Sequence, residues 1–263
     1  MWFDQARALF RRDLLIDVRY RVAFAIGLID AVIVLVSYAF LAGVFGDLRP
    51  DGYAPLPFLL IGIALTDSLA TALVCLALGA RSSQQPGTVK ALLVLPISPS
   101  RLMLLSMTYP FARATLDFAV FTIAAIALGA RFAHVNVTGM LVTFILAVGS
   151  VLVLGLVSAS FAMVFKRGDP VLWAVATATW LLSGVLYPTS VLPTWLAMVS
   201  TLLPTTHALA AMRAAVINGA SWATIGPDVG MLAGFDLLGL PAGLWLFTAA
   251  VTHAKRTGTL GHA

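Results

Sequence analysis

Residues 138–165 read TGMLVTFILAVGSVLVLGLVSASFAMVF, and this stretch contains no charged side chain. An α-helix rises 1.5 Å per residue, so about 20 apolar residues cross a hydrocarbon core roughly 30 Å thick. The stretch is therefore long enough to span a membrane. Of all 263 residues, 60% are hydrophobic and only 10% are charged, whereas soluble domains carry about 25% charged residues. The sequence predicts an all-α polytopic membrane protein and excludes a soluble fold.

Six stretches reach the length of a membrane span, and a further apolar stretch is broken by prolines. A broken helix persists in lipid only where protein covers it or a cavity adjoins it, because backbone polar groups need partners. Residues 188–217 contain Pro188, Pro193 and Pro204, and we interpret them as two short re-entrant helices. The six predicted spans are residues 22–45, 56–79, 102–130, 138–165, 171–187 and 230–251, within one transmembrane domain that covers residues 1–263.

The lysines and arginines lie mostly on one side of these spans. Twelve of them fall in residues 1–21, in the second and fourth connections and in the C-terminal tail, against three on the opposite side. The positive-inside rule then places both termini in the cytoplasm. Trp2, Phe3 and Phe10 share one helical face, and Arg7 and Arg11 lie away from it. This pattern is typical of a helix at the membrane surface, so residues 1–20 are predicted to form an interfacial helix rather than a signal peptide.

Motifs for catalysis are missing from the sequence. There is no G-x-x-x-x-G-K-[ST] run to hold ATP, and there is no H-E-x-x-H, C-x-x-C or G-x-S-x-G, the signatures of common metal, redox and hydrolase sites. The four histidines have no partner at the spacing of metal ligands. We therefore expect no catalytic residues, no metal site and no cofactor on this chain. If the protein moves a solute uphill, the energy must come from an ion gradient or from a separate ATPase.

Five ionisable residues fall inside the predicted spans. A charge near the middle of a bilayer costs about 2.5–3.5 kcal/mol on insertion scales, so such residues usually face the interior of the helix bundle and pair there. Their positions allow three interpretations: a polar lining along a substrate path, a structural set of buried pairs, or a site of proton coupling. The five residues are Asp30, Asp67, Arg113, Asp117 and Asp236.

The connection between the second and third spans reads RSSQQPGTVKALLVLPISPSR over residues 81–101. Pro86 and Gly87 end the preceding helix, Thr88 can cap a new one, and Pro96 stops it after about two turns. Such a short amphipathic helix between two spans is suited to docking against another protein. The alternative is a plain interfacial loop, and the pattern alone favours this alternative.

Two segments together resemble the permease family of ABC-2 type exporters, the group that includes the daunorubicin-exporter and Nod-factor-exporter membrane subunits. Residues 87–98, GTVKALLVLPIS, are similar to a cytoplasmic G-T-x-E-x-L-L-x-x-P-x-S helix of that family. Residues 182–196, LSGVLYPTSVLPTWL, followed by LPTTHALAAMR over residues 203–213, are similar to its S-G-x-x-[FY]-P-x-x-x-L-P-x-x-[LW] and P-[LT]-[TA]-[HY] patterns. Lys90 stands where the family often has Glu, and Ala210 and Ala211 stand where an acidic residue is common.

The resemblance implies a role for each matched segment. Residues 86–100 would form the coupling helix that docks on a separate ABC ATPase, and residues 187–212 would close the outer end of the path. Two permease chains, identical or homologous, would assemble with two ATPase chains that bind ATP and Mg, in a bacterial plasma membrane. The implied coupling residues are Arg81, Gly87, Thr88, Lys90, Leu92, Leu93, Pro96 and Ser98. The implied gate residues are Gly184, Tyr187, Pro188, Leu192, Pro193, Pro204, His207 and Arg213.

The function that we expect from the sequence is therefore that of a permease subunit of an exporter. It would move a hydrophobic or amphipathic substrate outward, such as a drug, a lipid or a lipid-linked oligosaccharide. The alternative is a proton-coupled secondary transporter that uses Asp30, Asp67 or Asp236. A lipid-modifying membrane enzyme is disfavoured, because clustered His, Glu or Cys residues are missing from the sequence.

Overall fold

The computed structural model describes residues 2–19, 21–45, 49–82, 99–130, 132, 134–165 and 170–256. All regular structure in these ranges is helical, as expected for an all-α membrane protein. Two 3-10 turns, Pro50–Gly52 and Thr189–Val191, lie in loops. The α-helices are α1 Trp2–Arg19, α2 Arg21–Phe45, α3 Pro55–Ser82, α4 Pro99–Ser106, α5 Thr108–Ala127, α6 Val137–Phe165, α7 Pro170–Leu182, α8 Thr194–Ser200, α9 Pro204–Ile217 and α10 Trp222–Arg256.

Within the described ranges, four helical stretches are long and apolar enough to cross a membrane. They are Pro55–Leu76, Met103–Ala127, Val137–Ala162 and Trp222–His253. Helices α8 and α9, bent by 83° relative to each other, pass the same test as a pair and would make a fifth. Shorter apolar stretches lie in α2 and α7, at Val32–Val44 and Leu172–Leu182. The chain is thus a polytopic membrane protein, and the number of six spans stays a prediction.

The predicted third span, residues 102–130, is divided into two helices. It breaks at Met107, between α4 and α5, and α5 ends at Ala127. Proline has no backbone N–H, so Pro110 leaves the carbonyl of Ser106 without its helical partner, and this accounts for the break. At the other end Gly129 adopts a φ of +95°, the left-handed conformation that commonly closes a helix.

The helix at the predicted fifth span, residues 171–187, ends five residues before the end of that prediction. Helix α7 stops at Leu182, and Gly184 then adopts a φ of +77° that no helix accommodates. Pro188 continues in extended backbone. The helix at the last predicted span, α10, extends beyond residues 230–251 at both ends, from Trp222 to Arg256, and contains Pro227 and Pro241.

Helices α6 and α10 run side by side in the same direction. A Cβ atom built at Gly139 would lie 2.6 Å from Ile225 Cδ1, and one built at Gly239 would lie 2.7 Å from Val153 Cγ1. Nearer the ends of both helices, a Cβ atom built at Gly243 would lie 3.0 Å from Leu156 Cδ1. Residue numbers thus rise together along the two helices. Because α6 ends where α10 also ends, the chain between them must return to the starting end.

Three loops meet at that starting end. The amide N–H of Asn136, just before α6, donates to Ala215 O near the end of α9 (2.9 Å). The Arg213 side chain on the same helix reaches Phe58 at the start of α3. Ser190 lies 3.4 Å from Asp51, so the loop after α7 also approaches the turn before α3. The first residues of α3, α6 and α10 therefore share one end of the bundle.

Helix α1 contacts the first turn of α5. The Phe10 ring meets the Tyr109 ring, close to the start of α5, in an edge-on contact with centroids 5.8 Å apart. The structure thus has a helix where an interfacial one is predicted over residues 1–20, and its position at a membrane surface stays a prediction.

Helix α3 forms the centre of the bundle, with Phe58, Leu60 and Ile63 fully buried.

Candidate functional site

The segment between α7 and α10 is shaped by prolines and one glycine. Pro193 directly precedes α8, and Pro204 occupies the first turn of α9, positions at which the missing N–H costs no helical bond. Gly184 has a positive φ, and a Cβ there would lie 2.9 Å from Thr189 Cγ2. Leu192 lies in extended backbone between the 3-10 turn and Pro193. We name residues 183–217 the gate segment, since they hold all the gate residues that the sequence predicts.

Arg213 is the most buried charged side chain of the gate segment, with 5% of its surface exposed. Its guanidinium donates to three backbone carbonyls: Nη1 to Gly184 O (2.8 Å), Nη2 to Val185 O (2.8 Å) and Nε to Phe58 O (3.2 Å). The Cζ atom also lies 3.5 Å from the centroid of the Phe58 ring. The arginine therefore joins α9, the loop after α7 and the start of α3.

Two other predicted gate residues also make contacts across the segment. The Tyr187 hydroxyl donates to Leu181 O and closes the turn that follows α7. His207 Nδ1 lies 2.7 Å from Asp228 Oδ1 on α10, and its Nε2 lies 3.0 Å from Thr201 O. His207 thus connects the bend between α8 and α9 with the first turns of α10.

Asp236 lies in the interface between α6 and α10. It is 8% exposed, and its Oδ1 accepts a hydrogen bond from Ser150 Oγ at 2.7 Å. A Cβ built at Gly149 would lie 2.5 Å from Asp236 Oδ2. The carboxyl group therefore fits between the helices only because residue 149 has no side chain.

The other intramembrane charges fall elsewhere. Arg113 Nε donates to Asp117 Oδ1 at 3.1 Å on α5, and both side chains are largely buried, so the predicted pairing of these two residues is present. Asp67 is partly buried on α3. Asp30 belongs to α2, and its side chain lies outside the described part of the chain. A pair on α5 and a carboxyl between α6 and α10 are separate environments, and a role for any of them in a substrate path stays a prediction.

Two cavities adjoin the gate segment. One of about 380 Å³ lies between α3, α6, α7 and α9, and its walls include Leu69, Trp180 and the threonines Thr66, Thr179 and Thr205. The other, of about 610 Å³, is an open groove along α10 next to His207. Both are lined mainly by apolar side chains.

The predicted coupling residues from Gly87 to Ser98 lie outside the described residues, and so does the Arg81 side chain. At the end of the predicted segment 86–100, Pro99 and Ser100 already belong to α4. Helix α3 leads into the segment from one side and α4 leaves it on the other. The roles of the coupling residues stay predictions.

Sequence patterns missed the partners of the predicted residues. Phe58 and Gly62 meet Arg213, Ser150 meets Asp236, and Asp228 meets His207. Asp228 carried a weak signal, since it is an acidic residue two positions before the predicted span 230–251. Carbonyl acceptors and close-approach glycines carry none, because every residue has a carbonyl and glycines are frequent in membrane helices.

Comparison with known families gives one match, which covers most of the chain. The family model described as ABC-2 type transporter matches residues 4–217. The match begins in α1 and ends at the last residue of α9, so it includes the predicted coupling segment and the whole gate segment, and it leaves α10 outside. No curated protein sequence matches the chain.

Proposed function

Because the chain belongs to the ABC-2 type transporter family, we propose that it is the permease subunit of an ATP-driven exporter. The observation that carries the proposal is the family match over residues 4–217. Membership makes the chain a membrane-embedded transport component. Export as the direction, a separate ATPase as the motor and a hydrophobic or amphipathic substrate are the parts that we propose.

The geometry of the bundle supports six spans with both termini on one side. Helices α3, α6 and α10 start at a common end, so the chain must return twice, once through α4 and α5 and once between α6 and α10. Helix α2 supplies one further crossing before α3, and α1 contacts the start of α5 at Tyr109. From the excess of lysine and arginine outside the spans we infer that the α1 end lies in the cytoplasm, and we propose that the membrane is a bacterial plasma membrane.

The smaller cavity supports a hydrophobic substrate. Its walls are mainly apolar, and the polar residues among them are threonines, which suits a ligand with few hydrogen-bonding groups. It borders Thr205 of the gate segment, whose Oγ1 lies 2.5 Å from Ser183 Oγ. We infer that this cavity is part of the path and that the gate segment closes its outer end.

The partners that we propose are two ABC ATPase chains and a second permease chain. ATP and Mg would bind to the ATPase chains, and residues 86–100 would contact them. ATP-driven closure of the ATPases would switch the two permeases between inward-open and outward-open states.

Reconstitution tests the proposal directly. The full chain, purified in mild detergent with its bound ATPase, is placed in proteoliposomes, and uptake of a fluorescent lipophilic dye and of a fluorescently labelled phospholipid is recorded. Uptake by inside-out transporters that requires both ATP and Mg is the expected result. Accumulation by the purified chain alone, driven by a proton gradient without nucleotide, would overturn the proposal.

Asp236 is the observation that favours the alternative, a proton-coupled transporter. Its carboxyl is buried beside Ser150, and among the described residues no cation lies within ion-pair distance of it. Intramembrane carboxyls in such positions serve as proton sites in pumps and transporters.

The substitution Asp236→Asn separates the two functions. Asparagine keeps an oxygen that accepts the Ser150 hydrogen bond, so we expect ATP-driven dye uptake to stay within about twofold of the unaltered chain. Uptake in proteoliposomes is the measurement, and Ser150→Ala, which keeps the carboxyl and removes the hydrogen bond, is the matched control. Uptake driven by a proton gradient without ATP that is lost in Asp236→Asn and retained in Ser150→Ala would support proton coupling instead.

A further inference from the structure

We propose that Arg213 is a positioning residue that holds the gate segment and the start of α3 together as one unit. Through this contact, α3 would carry a displacement of the coupling segment to the outer gate. The second half of the inference rests on the proposed function, and the first half stands on the geometry alone.

The guanidinium donates to two pieces of backbone that are distant in sequence. Gly184 and Val185 belong to the loop after α7, and Phe58 belongs to the first turn of α3. The side chain itself comes from α9. A single planar group thus fixes three segments, and the Phe58 ring covers its face at 3.5 Å.

The acceptors are carbonyls rather than a carboxylate. Among the described residues, no acidic side chain lies within ion-pair distance of Arg213. The alanines at positions 210 and 211 are therefore compatible with a satisfied guanidinium. Arginine presents five N–H groups in a rigid fork, whereas lysine offers one ammonium that cannot reach three carbonyls in this geometry.

Gly62 makes room for this arrangement. A Cβ built at residue 62 would lie 2.5 Å from Arg213 Nη2 and 2.8 Å from Val185 O. The second of these atoms is backbone and cannot rotate away. Arg213 and Val185 therefore approach α3 closely because residue 62 is a glycine.

Helix α3 connects this contact with the predicted coupling segment. It runs without a break from Pro55 to Ser82, a length of about 42 Å at 1.5 Å per residue. Residues 58–65 are almost entirely buried, so this half of the helix is packed on all sides. A continuous, closely packed helix can transmit a displacement along its length if its first turn is fixed to the gate segment. The hydrogen bonds of Arg213 provide that connection, which we call the tie.

Distance measurement tests the tie without reference to any substrate. Spin labels are placed on the full chain in lipid nanodiscs at Ala54, before α3, and at Val191, in the gate segment, both exposed. The unaltered chain is expected to give one narrow distance distribution. Arg213→Met is expected to lose it, since the buried loop carbonyls of Gly184 and Val185 then lose their donor. Arg49→Met removes an exposed cation at the same end and is the matched control, with no change expected.

Two further variants keep the test decisive if Arg213→Met does not fold. Arg213→Lys retains the charge, and Gly62→Ala retains the arginine but fills its place; both are expected to lose the narrow distance. Each variant is compared after size-exclusion chromatography shows a folded chain. A narrow, unchanged distance in any folded variant of Arg213 or Gly62 would overturn the tie.

Transmission is tested with the ATPase bound. We expect Arg213→Lys to lower the ratio of dye uptake to ATP hydrolysis at least about tenfold, the effect of losing one charge-assisted hydrogen bond. A purely structural role would lower uptake and hydrolysis together, and an unchanged ratio would overturn the transmission. If no ATPase binds the unaltered chain, the proposed function fails, and the distance result still decides the tie.

Discussion

Changing both Leu92 and Leu93 to Asp is expected to abolish the association of the chain with its ATPase. In the predicted coupling helix, Val89, Leu92 and Leu93 are available to one face, which suits an apolar groove on a partner. Burying a leucine side chain contributes about 1.5–3 kcal/mol. Loss of two such contacts weakens association by at least about 10²-fold, and the introduced carboxylates add a desolvation cost. Co-purification of the ATPase with the tagged permease is the measurement.

The control places the same charges in the same connection. Ser82→Asp together with Ser83→Asp lies before the predicted helix in the sequence, with Ser82 the last residue of α3, and is expected to leave ATPase recovery unchanged. The substitutions lie outside the predicted spans, so membrane insertion of both double variants is expected to be unchanged. Extraction of the membrane fraction checks this. Equal ATPase recovery with the Leu92 and Leu93 variant would show that the ATPase docks elsewhere.

The predicted helices follow from long-range composition, and their ends follow from local chemistry that composition does not contain. Helix α6 coincides with its predicted span to within one residue because no glycine with positive φ or proline interrupts it. The predicted helix over residues 171–187 ends early, since the apolar run continues while Gly184 leaves the helical conformation. The bend between α8 and α9 was predictable, because Pro193 and Pro204 mark the starts of both helices.

The contacts of the site were harder to predict than its residues. The resemblance predicts Arg213 as a gate residue, yet its three acceptors are backbone carbonyls that leave no mark in a sequence. Asp236 was recognised as an unusual charge, but its partner Ser150 lies 86 positions away. Only the Arg113 and Asp117 pair could be derived from spacing, because residues four apart on one helix face each other.

Replacing Gly149 with Val is expected to cause the largest loss of stability among single changes in the α6–α10 interface. The nearest three atoms to a Cβ at this position all belong to Asp236, at 2.5, 3.1 and 3.5 Å. Overpacking of this kind costs about 1–3 kcal/mol. The expected result is a lower midpoint of thermal unfolding in detergent. Unfolding is monitored through the fluorescence of a thiol-reactive dye that labels Cys75, which is partly buried on α3.

Gly230→Val is the matched control on the facing helix. A Cβ at Gly230 would meet no atom within 4 Å, and the residue is exposed. Both substitutions add the same β-branched side chain to a helix, so differences in helix propensity cancel. We expect the midpoint of Gly230→Val to stay near that of the unaltered chain. Similar losses in both variants would mean that the helix interior, and not the Asp236 contact, is responsible.

A double substitution shows whether Asp236 alone is responsible for the loss at residue 149. Asp236→Ala removes all three atoms that crowd a Cβ at that position, so Gly149→Ala should cost little in the Asp236→Ala background and considerably more in the unaltered chain. The Ser150 hydroxyl, left without its partner, can donate to the carbonyl one turn earlier, as serines in membrane helices do. Contacting residues give such non-additive unfolding energies, whereas independent sites add. Additive midpoints would therefore place the crowding against the backbone of α10 instead of against the Asp236 carboxyl.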